Sequence, residues 1–203
     1  MNELVITSLR RATRDRHVAL EAILRLDLPF SSRRYLSVLQ GFELFLSAWE
    51  PRIGAALDLS LRHWFASRTR RRLLQQDLAR LYGGQDEQEP ASLLCIRAVS
   101  QIDVAGAAAA FGSMYVLEGS ALGGQVIARA AQATLGLGPD NGAAYFNGHG
   151  RHTAARWAEF RVLLEEQVGP APEAWQQACE AACQTFDALI ATFTCLFRDD
   201  AVA

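Results

Sequence analysis

The sequence predicts an all-α protein that forms a single domain over residues 1–203. Apolar residues recur every three or four positions along nearly the whole chain, as they do on one face of an α-helix. No segment alternates apolar and polar residues as a β-strand would, and neither a repeat nor a linker divides the chain. Half of the residues are hydrophobic and 21% are charged, which suits a soluble domain with a sizeable core.

The first half of the chain predicts helices separated by proline and by an acidic loop. The apolar pattern indicates one helix over residues 7–24 and another over residues 33–49, which Pro51 is expected to end. An amphipathic helix is expected over residues 68–82, with arginines opposite its leucines. The acidic stretch at residues 85–90 is expected to be a loop.

The second half predicts longer helices around one irregular connection. Helices are expected over residues 91–100 and 103–135, and the second of these carries several glycines. Residues 135–150 contain five glycines and a proline, which favours irregular structure. Helices over residues 152–167 and 173–197 are expected to complete the domain.

Charge, hydropathy and cysteine content narrow the class of protein. The net charge is −2 and the pI is near 6.1, so bulk charge gives no reason to expect nucleic acid as a partner. The N-terminal apolar run is too short for a signal peptide, and no stretch approaches the roughly 18 apolar residues of a membrane-spanning helix. The four cysteines are scattered in apolar helical patterns, as expected for reduced thiols in a cytoplasmic protein.

Three glycines, Gly112, Gly119 and Gly123, are the most informative feature of the chain. They fall within about 40° of one another on the predicted helix. Each costs roughly 1 kcal/mol relative to alanine in a helix, although the chain is rich in alanine. We interpret these glycines as a face that a flat ligand approaches more closely than a methyl group would allow. Close packing of a second helix is the alternative.

A histidine and three charged residues share one face of the first predicted helix. Arg10, Arg14 and Glu21 lie within about 60° of His17 on that helix. Glu21 can accept a hydrogen bond from one imidazole nitrogen and leave the other free to bind a metal, while the arginines can bind acidic groups. A solvated amphipathic face is the alternative. Together with the glycines, this face predicts a slot for a planar macrocycle with an axial ligand on one side.

Segments spread over nearly the whole chain resemble haem oxygenases, most closely the bacterial branch that includes enzymes supplying bilin to bacteriophytochromes. They include LRRATRDRH at residues 9–17, QDLARLYG at residues 76–83 and GSALGGQVI at residues 119–127. The resemblance implies a haem-oxygenase-like helical fold that holds haem b between a proximal helix and a glycine-kinked distal helix. It also implies O2- and electron-dependent cleavage of haem to biliverdin, with release of CO and Fe²⁺.

The resemblance also implies roles for individual residues. His17 would be the proximal iron ligand with Glu21 as its orienting partner, and Gly119 and Gly123 would contact the haem on its distal side. Basic residues would lie near the haem propionates and an aromatic ring near the macrocycle edge. The candidates for these contacts are Arg10, Arg14, Arg156 (with Arg161 as the alternative) and Phe186.

Ser120 departs from the pattern of animal haem oxygenases, which carry an aspartate directly after the first distal glycine. A hydroxyl donates and accepts hydrogen bonds but holds no charge near neutral pH. We therefore expect the proton path to run through water ordered by Ser120 and backbone carbonyls; bacterial members of the family also lack the aspartate. Two alternatives to the enzyme stay open: a non-catalytic protein of this fold that stores or senses haem, and a related helical protein with another small ligand.

Partners follow from the resemblance and from surface patterns. The family implies O2 and an electron donor, such as a ferredoxin, a flavodoxin or a reductase, and allows a bacteriophytochrome as bilin acceptor. The four arginines within residues 68–72 predict a solvated helix face, and docking of an acidic redox partner there is the alternative.

Two pairs of residues have a spacing that a metal site could use, but both lack further ligands nearby. We interpret His149 and His152 as part of a surface loop, and Cys179 and Cys183 as core thiols.

Overall fold

The computed structural model describes residues 4–25, 31–82 and 89–198, and every regular element in these ranges is helical. The α-helices are α1 (Val5–Leu24), α2 (Ser32–Ala56), α3 (Leu59–Ala66), α4 (Arg71–Tyr82), α5 (Glu89–Ser100), α6 (Gly106–Leu135), α7 (Ala144–Asn147), α8 (Thr153–Val168) and α9 (Pro172–Arg198). A short 3-10 turn, Gly150–His152, joins α7 to α8. The all-α prediction is confirmed. No helix in the described ranges has the length and apolar character needed to cross a bilayer.

The glycine-bearing helix α6 packs against α2, α7, α8 and most extensively α9, which also packs against α1 and α5. The backbones of α6 and α9 are in close contact at Gly112, where an added Cβ would stand 2.1 Å from the carbonyl oxygen of Ala178. Fully buried aromatic rings fill the core around these helices, among them Phe45, Phe111 and Phe160. The N-terminal half of α6 is therefore fixed by its contact with α9.

Polar side chains and a glycine define several helix ends. At the start of α2, the Ser31 hydroxyl accepts a hydrogen bond from the backbone N–H of Arg34 at 3.1 Å. The Asp58 carboxylate accepts one from the N–H of Leu61 at 2.9 Å at the start of α3. Gly136 ends α6 with a φ of 68°, a left-handed conformation that glycine adopts without strain.

Pro51 does not end α2, contrary to the prediction, and the helix continues to Ala56. A proline inside a helix removes a backbone hydrogen bond and crowds the preceding turn, at a cost of about 3 kcal/mol. Beyond the proline, Ile53 and Leu57 are almost completely buried, so the additional turn places two large apolar side chains in the core. Burial of these side chains offsets the local cost.

Other boundaries also differ from the sequence pattern. α4 begins at Arg71 rather than at residue 68, because the preceding residues form a connection with buried arginine side chains. The expected loop at residues 85–90 lies outside the described residues up to residue 88, and α5 already includes residues 89 and 90. The irregular connection at residues 135–150 contains the single turn α7.

Candidate functional site

A cavity of about 270 Å³ lies between α1 and α6, with aromatic side chains from α2, α7, α8 and α9 completing its wall. Its volume is close to the lower end of the roughly 300–1,000 Å³ that is typical of ligand pockets. Most of the wall is apolar, and the polar residues that line it are Arg10, His17, Glu21, Arg70, Tyr115, Ser120 and Tyr145. A few convergent polar groups in an apolar pocket are typical of a small-molecule site.

His17 and Glu21, one turn apart on α1, both line this cavity. The Nδ1 of His17 lies 3.5 Å from Oε2 of Glu21, and the ring of Phe186 contacts the imidazole edge-on with 5.9 Å between centroids. The side chain of His17 is 58% exposed. A carboxylate on Nδ1 favours the tautomer that leaves the Nε2 lone pair available, which is the arrangement of a histidine that binds a metal.

The three glycines of α6 that the sequence singled out have two different surroundings. Gly119 and Gly123 line the cavity, and the chain has room for a methyl group at both. An added Cβ would lie 3.7 Å from Trp157 at Gly119 and would meet nothing within 4 Å at Gly123. Gly112, in contrast, is required by the packing of α9. The interpretation of all three glycines as one ligand face is therefore wrong for Gly112, where the alternative of close helix packing holds.

Ser120 follows Gly119 on the cavity wall and is held by two hydrogen bonds. Its hydroxyl donates to the carbonyl oxygen of Leu117 at 2.7 Å and accepts from Nη2 of Arg70 at 3.3 Å. A hydroxyl has one donor and two acceptor lone pairs. One lone pair of Ser120 therefore remains to accept a hydrogen bond from an occupant of the cavity.

Arg10 and Tyr115 form the polar rim of the cavity where α1 meets α6. Burial raises the pKa of Tyr115, while hydrogen bonds with Thr13 and Arg10 oppose that rise. Arg10 is exposed to solvent, so its charge is available to an acidic group at the rim.

The structure does not bring the other candidate arginines to this cavity. Arg14 is exposed on α1 outside the cavity wall. Arg156 donates from Nη1 to the carbonyl oxygen of Ser67 at 2.9 Å, which ties α8 to the connection before α4. Arg161 is exposed and also lies outside the wall. Of the arginines proposed for acidic groups of the ligand, Arg10 alone lines the cavity.

The prediction of a solvated basic face at residues 68–72 is wrong for its buried members. Arg68 is only 3% exposed and forms a bidentate ion pair with Glu118 at 2.8 Å. Arg70 lines the cavity, and Arg71 pairs with Glu43 at 2.7 Å. Arg72 is the exposed member of the run.

Within the described ranges, no group of three or more histidine, cysteine, aspartate or glutamate side chains is arranged to hold a metal ion. The four cysteines are free thiols, and Cys95 is buried. His149 lies near Arg156 and Arg70, and burial together with these positive charges lowers its pKa to about 4. It is therefore neutral at physiological pH.

Several cavity residues were not singled out by the sequence. Tyr115 lies one turn before Gly119, so helical spacing could have found it. Trp157, from α8, and Tyr145, from α7, come from distant segments whose position depends on the whole fold. Arg70 was hidden in a run of arginines, because no local pattern distinguishes its burial from the exposure of Arg72.

Comparison with known proteins places the chain in a family. The sequence model of haem oxygenase matches residues 4–195, almost the whole chain. The chain belongs to the haem oxygenase family. No curated protein matches it significantly.

Solved structures share the haem oxygenase fold with this chain. Haem oxygenase from Leptospira interrogans has a TM-score of 0.75 and 19% identity, with 95% of this chain and 99% of that one covered. Haem oxygenase-1 from the cyanobacterium Synechocystis sp. PCC6803, in complex with haem, has a TM-score of 0.72 and 20% identity, with 98% and 97% covered. A domain of unknown function with a haem-oxygenase-like fold from Shewanella denitrificans OS217 has a TM-score of 0.66 and 16% identity, with 98% and 90% covered.

Proposed function

We propose that this member of the haem oxygenase family binds haem in the cavity between α1 and α6 and cleaves it to biliverdin. O2 and electrons would be consumed, and CO and Fe²⁺ released. The observation that carries the proposal is that His17, Glu21, Gly119 and Gly123 all line one cavity. The haem complex of the Synechocystis protein of the same fold supports a haem site in this architecture.

The residues of the cavity fit haem by their chemistry. A flat and largely apolar macrocycle suits a slot with apolar and aromatic walls. Its carboxylates require cations at the rim, and Arg10 would bind a propionate there. His17 would bind the iron through Nε2, because its Nδ1 faces Glu21. The open space at Gly119 and Gly123 would accept the haem face without displacing any side chain.

Bound haem supplies the iron that activates O2 and the carbon that is oxidised. The residues of the chain bind, orient and shield it. His17 would hold the iron from α1, and the uncovered backbone of α6 at Gly119 and Gly123 would leave room for a small ligand such as O2. Trp157 and Phe186 would exclude bulk water from the enclosed space. The contact between Arg10 and a propionate would set the rotation of the macrocycle, and hence which meso carbon is attacked.

Ser120 would orient the water that donates the proton. Its own hydrogen is directed to the carbonyl of Leu117, so the lone pair that remains can only accept a hydrogen bond. A cavity water bound to this lone pair would keep its second hydrogen free to donate. Ser120 therefore positions the proton donor and does not itself supply the proton.

We further propose a cytoplasmic location and external partners. The scattered free thiols support a reducing compartment. The resemblance to the bacterial branch supports a ferredoxin, a flavodoxin or a reductase as electron donor, and a bacteriophytochrome as acceptor of the biliverdin. Incubation of the product mixture with an apo-bacteriophytochrome would show whether the bilin attaches to it.

A single-turnover reaction tests the activity. Hemin-loaded protein would be reduced in the presence of O2 while the Soret band and the long-wavelength bilin absorption are recorded. We expect the Soret band to decay as a bilin band rises, and chromatography of the biliverdin isomers would then identify the meso carbon. Decay of the Soret band without any bilin would contradict oxygenase activity.

A non-catalytic haem-binding protein of the same fold is the second candidate. It is favoured by Ser120, whose hydroxyl lacks the charge of an aspartate and is already engaged by Leu117 and Arg70. This function predicts a hemin complex whose Soret band survives reduction in the presence of O2. The same single-turnover reaction therefore separates the two candidates.

A further inference from the structure

Arg70 is a buried cation in the cavity wall. It precedes α4, lines the cavity and is only 9% exposed. Its Nη2 donates to the carbonyl oxygen of Leu117 at 2.9 Å and to the hydroxyl of Ser120 at 3.3 Å. Its guanidinium carbon lies 5.1 Å from the centroid of the Tyr145 ring. These contacts fix the guanidinium at the end of the cavity that holds Ser120.

The charge of Arg70 has no ion-pair partner in the part of the chain that the structure describes. Its neighbours differ in this respect: Arg68 binds Glu118 at 2.8 Å, and Arg71 binds Glu43 at 2.7 Å. The contacts of Arg70 are a carbonyl, a hydroxyl and an aromatic ring, none of which carries a formal charge. A buried charge without an opposite charge is strongly unfavourable.

Three titratable groups that interact electrostatically with Arg70 do not neutralise its positive charge. Burial raises the pKa of Glu50 to about 7, despite the opposing effect of Arg71, so this carboxyl is only partly ionised near neutral pH. Burial raises the pKa of Tyr145 to about 12, and burial with nearby arginines lowers that of His149 to about 4. Both of these groups are neutral at pH 7. Two further carboxylates act on these groups, Glu43 and Glu118, but they are paired with Arg71 and Arg68, so the charge of Arg70 is left at the Ser120 end of the cavity.

We propose that Arg70 makes this end of the cavity a subsite for a small inorganic anion. Both described hydrogen bonds of Arg70 use Nη2, and its Nε and Nη1 donate to no other described atom. An anion beside the guanidinium supplies the missing negative charge. In the haem-loaded protein the same guanidinium would stabilise an anion bound at the haem, so in that form the inference rests on the proposed function.

Azide binding to the ferric hemin complex tests this role, with CO binding to the ferrous complex as the uncharged comparison. Arg70→Gln should weaken azide binding about tenfold or more, because a charge-assisted hydrogen bond is lost. CO affinity should change much less, and Arg70→Lys should keep most of the azide affinity. Arg72→Gln, which removes the same charge from an exposed position of the same run, should leave azide binding unchanged.

Bromide soaked into crystals of the unaltered, hemin-free protein provides a readout that depends on neither a variant nor haem. An anomalous peak beside the Arg70 guanidinium is expected. Equal azide affinities in Arg70→Gln and wild type would overturn the proposal, as would a bromide-soaked crystal without a peak at Arg70. Absence of hemin binding combined with bromide at Arg70 would refute the proposed function while supporting the anion subsite.

Discussion

Replacing Gly119 or Gly123 by alanine adds one methyl group, whose effect on folding can be measured separately from its effect on haem binding. Because the chain has room for a Cβ at both positions, Gly119→Ala should keep the free energy of unfolding of the hemin-free protein or raise it by up to about 1 kcal/mol. The same methyl group would overlap bound haem and should lower hemin affinity about tenfold. Urea unfolding and hemin titration measure the two effects.

Gly54→Ala is the matched control for this substitution. Gly54 lies in α2, where an added Cβ meets nothing within 4 Å, and it does not line the cavity. Its replacement should bring a similar gain in helix stability without any change in hemin affinity. Equal hemin affinities in Gly119→Ala and Gly54→Ala would show that haem does not contact Gly119.

Individual site residues were predictable from the sequence to different degrees. His17 and Glu21 share a helix turn, and Gly119 and Gly123 share another, so helical periodicity alone places each pair on one face. The burial of Arg70 was not predictable, because it depends on carbonyl and hydroxyl oxygens of α6 that approach only in the folded chain.

At the scale of helices, Gly112 determines how closely α6 approaches α9. An added Cβ would stand 2.1 Å from the Ala178 carbonyl oxygen, and backbone on both sides leaves no flexible side chain to move. Gly112→Ala should therefore destabilise the hemin-free protein by about 3 kcal/mol, whereas Gly119→Ala should not. Urea unfolding of the two variants side by side checks this contrast, and equal stabilities would contradict the described packing.

The connection before α4 is anchored to α6 and α8 by Arg68, whose side chain is 1% exposed. Arg68 forms ion pairs with two glutamates: the side chain of Glu118 is 14% exposed and that of Glu159 is 52% exposed. Glu118→Gln should cost about 3 kcal/mol, because it removes the buried bidentate partner of the guanidinium and leaves Arg68 with only the exposed carboxylate of Glu159. Glu159→Gln should cost less than about 1 kcal/mol, because water screens and solvates that carboxylate. Denaturant unfolding of both variants measures the difference, and a larger loss for Glu159→Gln would contradict the assignment.

Helix boundaries show where local patterns stop being informative. The sequence pattern located most helices, but it ended α2 at Pro51 and began α4 at residue 68. In both places tertiary contacts decide the outcome. Burial of Ile53 and Leu57 extends α2 past its proline, while the inward contacts of Arg68 and Arg70 delay the start of α4.

For the molecule as a whole, Glu50 should make stability depend on pH. Burial raises its pKa to about 7 in the folded protein, above its ordinary value of 4.5. The folded state therefore favours the protonated form, and stability is lost as pH rises from about 5 through 7. Relative to Glu50→Gln, wild type should lose about 1–2 kcal/mol between pH 5 and pH 8, allowing for partial exposure. Urea unfolding at both pH values checks this, and a constant difference would contradict it.

The cavity is a property of the whole fold that the sequence could indicate only in outline. The two faces that line it, on α1 and α6, were predictable from spacing. Their meeting depends on α9, which packs against both helices, and the enclosure depends on Trp157 and Tyr145 from distant segments. Such long-range contacts leave no periodic signal in the chain.

Haem binding in this cavity is tested most directly by the absorption spectrum of the hemin complex with and without His17. Wild type should bind hemin with a histidine-ligated spectrum. His17→Ala should lose that spectrum and recover it when imidazole is added, while His63→Ala, at an exposed position of α3, should match wild type. A histidine-ligated spectrum that persists in His17→Ala would contradict the assignment of the haem to this cavity.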